Sequence, residues 1–80
     1  MTKDEFIRWA QSKGWVMDKY SHLQRETVHG TYRYKMSDVS VRREVKVHHE
    51  HGGSEWMRLK SQYFSKLSVN SDGMLVGMER

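Results

Sequence analysis

Val41, Val45 and Val47 alternate with Arg42, Glu44 and Lys46, and Val39 precedes them in the same phase. A period of two belongs to a half-buried β-strand with one apolar and one charged face, which predicts a strand over residues 39–49. Upstream, Tyr32, Tyr34 and Met36 alternate with Arg33 and Lys35, predicting a strand over 31–36. Ser37 and Asp38 between them are polar and turn-prone. With those two as the loop, Met36 would face Val39 and Tyr34 would face Val41, apolar against apolar. Arg43 breaks the valine face. A guanidinium there needs a helix carboxylate, a path past Tyr32 or a β-bulge.

The N-terminal pattern is helical. Phe6, Ile7, Trp9 and Ala10 form one stripe at helical spacing, with Lys3, Arg8 and Lys13 outside it. Thr2 and Glu5 have the spacing of a capping box, and Gly14 suits the left-handed residue that ends a helix. This predicts a helix over residues 3–13, with Trp15 folding back on its last turn. Residues 15–25 show no sustained period and fit a short strand or an irregular turn. Residues 26–30 read as a loop or the start of a strand.

His51-Gly52-Gly53-Ser54 marks a turn. Residues 55–67 fit a continuous helix or a strand. A helix would set Lys60 inside its apolar arc, and a lone hairpin is marginally stable. The reading adopted is therefore a strand over 54–60 and a helical turn over 61–66. Asn70-Ser71-Asp72-Gly73 is a turn, and Met74, Leu75 and Val76 make a short apolar piece suited to an edge strand. The expected architecture is a single α+β domain spanning 1–80: an N-terminal helix packed on a three-stranded antiparallel sheet, with a short C-terminal helical turn. Its core would hold Phe6, Ile7, Trp9 and Ala10 of the helix against Tyr32, Tyr34, Val41, Val45, Val47, Met57 and Leu59.

Composition adds charge and removes chemistries. Fourteen Lys and Arg against ten Asp and Glu give a net charge of +4. The excess leans toward polyanionic partners, chiefly DNA or RNA. With no cysteine, disulfides, thiolate nucleophiles and cysteine-based zinc sites are excluded. No apolar run approaches the roughly 18 residues of a membrane span, and the first residues lack the apolar stretch of a signal peptide. A cytoplasmic protein is expected, with no membrane partner.

The polar face of the predicted sheet carries the strongest candidate chemistry. It would display Arg33, Lys35, Arg42, Lys46, Arg58 and Lys60, with Trp56 among them and Glu44 as the main acid. Alternate residues of a strand lie about 7 Å apart, similar to phosphate spacing along a nucleic acid strand, and an aromatic amid cations suits base stacking. His48-His49-Glu50-His51 places His49 and His51 on one face, short of the four ligands a closed metal site wants, so it reads as a solvated hairpin end. No nucleophile elbow, carboxylate pair or phosphate loop is present. No cofactor, metal or small-molecule substrate is implied, and a non-enzymatic binding module is the expected function. The alternative is a protein-interaction or structural accessory factor acting as a homo-oligomer.

Two resemblances bear on this. The run Thr2-Lys3-Asp4-Glu5-Phe6, with Ser40-Val41-Arg42-Arg43-Glu44-Val45-Lys46-Val47 and Ser54-Glu55-Trp56-Met57-Arg58-Leu59, resembles small uncharacterised proteins of phages and prophages of Gram-positive bacteria. That likeness implies an accessory protein inside a bacterial host cell and carries no activity. Gly14-Trp15 and Ser21-His22 are similar to elements of HicA-type toxins, small basic ribonucleases with a dsRBD-like helix-and-sheet fold. Tyr20 stands where that family has glycine. The second likeness implies ribonuclease activity with His22 as the catalytic candidate.

Overall fold

A computed structural model describes residues 1–78. One helix, α1 (Lys3–Ser12), precedes a five-stranded antiparallel meander. Its strands, adjacent in chain order, are β1 (Val16–Met17), β2 (Leu23–Thr27), β3 (Gly30–Met36), β4 (Ser40–His48) and β5 (Ser54–Tyr63). A single 3-10 turn (Phe64–Lys66) leads into a separate two-stranded hairpin of β6 (Ser68–Val69) and β7 (Leu75–Val76). No helix among the described residues is long and apolar enough to cross a membrane.

The helix ends follow the sequence signals. The Thr2 N–H donates to Glu5 Oε1 at 2.7 Å and the Glu5 N–H donates to Thr2 Oγ1 at 3.2 Å, closing the capping box. Gly14 has φ +92°, and the Trp15 and Gly14 N–H groups donate back to the carbonyls of Ala10 and Gln11. This is a Schellman ending, and it delivers Trp15, buried, onto Ala10.

The sheet has five strands, which corrects the expected three. The two additional strands lack a readable alternation. β1 has two residues, and β2 has one buried residue, Leu23, followed on the same face by the exposed Arg25. Backbone pairing with β3 holds β2 in place, with Leu23 opposite Tyr34. The continuous-helix alternative for residues 55–67 is excluded: β5 runs through Ser61, Gln62 and Tyr63 before the 3-10 turn begins.

The β3–β4 hairpin is also shifted. Met36 pairs with Val41, and Tyr34 with Arg43. Ser37 reorganises the turn, because its Oγ accepts from the N–H groups of Val39 and Ser40 at 3.3 and 3.1 Å. The loop tip therefore moves to Asp38 and Val39, and Val39 is exposed. The shift is two residues, so each side chain keeps its predicted face.

Phe6 is the centre of the core. It is fully buried, edge-on to Tyr34 at 4.9 Å between centroids, and 5.5 Å from Phe64. Trp15 lies 4.2 Å from Tyr34 on the other side. Leu67 and Met78 close the core from the C-terminal segment. A ten-residue helix is about 15 Å long, whereas nine strand residues span about 30 Å. The helix thus covers the end of the sheet near Val41, and the far end projects beyond it. Val45 and Val47 are half-buried and Met57 and Leu59 exposed, so these four are not core as expected.

Candidate nucleic-acid interface

The helix and the C-terminal hairpin lie on the valine side of the sheet, and the polar side has no covering element among the described residues. Directly opposed residues of antiparallel strands share a face. Arg33 on β3, Glu44 on β4 and Arg58 on β5 form one transverse row. Lys35 and Arg42 form a second with Ser61, and Lys46 stands opposite Trp56. The structure therefore brings Arg33, Lys35, Arg42, Lys46, Trp56 and Arg58 onto one surface.

Lys60 is not on it. The register shifts between Arg43 and Glu44, because Leu59 is an extra residue on β5 with no opposed partner. This β-bulge puts Lys60 opposite Arg43 on the valine side. Beyond the bulge the polar face continues through Ser61 to Tyr63, an exposed aromatic opposite Ser40. Reading 61–66 as a helical turn hid Tyr63; the polar–polar–aromatic run Ser61-Gln62-Tyr63 would have revealed it as continued strand.

Glu44 organises the face. Its carboxylate lies between two guanidiniums, Oε1 on the Nε of Arg33 and Oε2 on the Nε of Arg42 at 2.9 Å. Glu44 is 3% exposed, covered by cations rather than by core. Arg33 also packs on Trp56, its guanidinium carbon 4.2 Å from the ring centroid, and the Lys46 ammonium lies at 5.9 Å. Carboxylate, arginine and indole thus hold one another in a fixed arrangement, and the indole stands on a cationic seat. Glu26, opposite Thr31 toward the far end of β2, lies on the same side, and Asp18 reaches that side through Gln24, the residue opposite Arg33.

Burial alone pushes the Glu44 carboxyl up. The hydrogen bonds and charges of Arg33 and Arg42 outweigh it and hold the group below its ordinary 4.5. Glu5 and Asp18 are lowered too, Glu5 chiefly by the Thr2 N–H and Asp18 by its hydrogen bonds against the upward push of burial. A carboxyl whose folded pKa is lowered contributes stability that is present above its unfolded pKa and lost as pH falls through the folded one. Stability is therefore expected to hold near neutrality and to decline below about pH 4.5. Glu44→Gln should make that acid decline shallower in a pH titration followed by circular dichroism. An equally steep decline in the variant would refute this role for Glu44.

His22 lies in the turn before β2. Asp18 shapes this turn: its Oδ1 accepts from the N–H groups of Tyr20 and His22, and its Oδ2 from Gln24 Nε2 at 2.8 Å. Ser21 takes a left-handed φ of 63° to close it. His22 Nδ1 is buried 3.9 Å from Asp18 Oδ2, beyond hydrogen-bond reach. Of the predicted histidine cluster, His49 is 3.6 Å from Glu55. No group of three or more His, Cys, Asp or Glu among the described residues is placed to hold a metal.

Fold and face together define a small α+β domain that presents an open, cation-rich sheet surface with one indole, from the edge strand β5, packed on it. Comparison with family models, with curated proteins and with solved structures returned no match.

Proposed function

We propose that the protein is a non-enzymatic binding module that holds single-stranded nucleic acid, DNA or RNA, on the polar face of β3–β5. The observation that carries this reading is Trp56, seated on Arg33 and flanked by Lys46, within a field of further cations. Lys35, Arg42, Lys46 and Arg58 supply phosphate contacts, and the indole supplies a stacking surface that tolerates any base. Glu44 cancels one unit of that charge, because its carboxylate is paired with Arg33 and Arg42, and leaves one of the two in surplus.

The test is fluorescence anisotropy with labelled single-stranded DNA and RNA. Four phosphate contacts predict that affinity falls about fiftyfold between about 50 and 200 mM salt. Absence of binding to any such oligonucleotide at the lower salt removes the reading. Met57 and Leu59, exposed on the edge strand β5, favour a second one, self-association through the projecting end of the sheet. A monomer in sedimentation at micromolar concentration removes that.

A further inference from the structure

The valine side holds a separate cavity of about 450 Å³ between the end of α1, the sheet and the C-terminal hairpin. Its aromatic walls are Trp9, Trp15 and Tyr34. The Trp9 indole N–H is already donated to the Gly73 carbonyl at 2.9 Å, so that ring offers its apolar surface. Three cations converge on the same space: Lys13 from the helix end, Arg25 from β2 and Arg43 from β4. No carboxylate of the described residues lines it, and none of the three cations takes part in an ion pair among those residues.

Arg43 is the residue to explain. Its guanidinium carbon lies 5.0 Å from the Tyr32 centroid, and its Nε is buried without a hydrogen-bond acceptor among the described residues. A buried donor on a charged group costs stability unless something accepts from it. Arg43 stands directly opposite Tyr34 across β3 and β4, and burial raises the Tyr34 phenol above its ordinary range while the charges of Arg43 and Arg25 pull it down. Aromatic walls, converging cations and an unanswered guanidinium are complementary to a ring that carries a negative charge. A guanidinium presents paired N–H groups that match a carboxylate, and the volume suits a small ligand.

We infer that this cavity binds a small aryl carboxylate, its ring against Trp9 and Trp15 and its carboxylate on Arg43 and Arg25. Tyr34 and Arg43 face the helix side, whereas Arg33 and Arg42 face away from it. The inference therefore stands or falls apart from the nucleic-acid reading.

The probe is benzoate, titrated into ¹⁵N-labelled protein and read from the three indole N–H resonances. The Trp9 and Trp15 signals should shift saturably while the Trp56 signal stays in place. Benzyl alcohol, a ring without charge, and acetate and inorganic phosphate, charges without a ring, should bind about tenfold more weakly or not at all. Arg43→Gln should weaken benzoate about tenfold. Arg25 is exposed, so Arg25→Gln keeps the fold and should weaken it severalfold, which decides the matter where the Arg43 variant is poorly folded. Several results overturn the inference: no saturable shift, a shift confined to Trp56, equal binding of benzyl alcohol, acetate or phosphate, or undiminished binding in Arg25→Gln.

Discussion

Phe6→Ala is expected to cost about 3–5 kcal/mol of folding stability. A chain of 80 residues has about 4–12 kcal/mol in all, so the variant should lose from about a quarter to all of that margin. The size of the effect comes from where Phe6 sits. It is fully buried and touches helix, sheet and C-terminal segment together, edge-on to Tyr34 and close to Trp9 and Phe64. Removing the ring opens a cavity at the one place where all three layers meet, and the aromatics around it are too rigid to collapse inward. Urea denaturation measures this directly. Val45→Ala is the matched comparison, because Val45 lies on the same side of the sheet beyond the end of the helix and should cost about 1 kcal/mol or less. Similar losses in the two variants would mean that the core does not end where the helix does.

Trp56→Ala should lower affinity for single-stranded nucleic acid about 5- to 150-fold, the equivalent of about 1–3 kcal/mol of base stacking. It acts twice, by removing the stacking surface and by releasing Arg33 from the ring that positions it. Arg58→Gln should instead weaken every sequence alike and reduce the slope of affinity against salt by about one contact. Both residues lie on the open face, so circular dichroism melts should remain near wild type. Lys60→Gln is the decisive control. A regular strand would put Lys60 beside Arg58 in the binding field, whereas the bulge turns it to the opposite side. Binding unchanged in Lys60→Gln and reduced in Arg58→Gln supports the face as described; equal losses contradict it.

The helix and the central hairpin were legible in the sequence because their signals are local. Thr2, Glu5 and Gly14 mark the ends of α1 by side-chain and backbone chemistry within a turn or two, and the valines of β4 give their period without help from elsewhere. The rest depends on distant parts of the chain. β2 exists because β3 offers it a backbone ladder, and a single buried Leu23 leaves no pattern to read. The Ser37 hydroxyl, which decides the hairpin loop, is a matter of four hydrogen bonds rather than of hydrophobicity. The core was overextended to Val47 because alternation shows which face is apolar and not how far the covering helix reaches. Five of the six expected cations of the site fell on one face, since β3 and β4 alternate strictly. The sixth, Lys60, lies past an irregularity that only the pairing with β4 makes visible.

That irregularity sets how β5 tolerates deletions. Leu59 is the one residue of the strand with no opposed partner, so its loss would join two correctly phased halves into a regular ladder, with Arg58 still opposite Glu44 and Lys60 still opposite Arg43. Loss of Arg58 in its place would bring Leu59 opposite Glu44 and put a leucine among the cations. The strand has in effect a reading frame, and Leu59 is the spacer that can be removed without changing it.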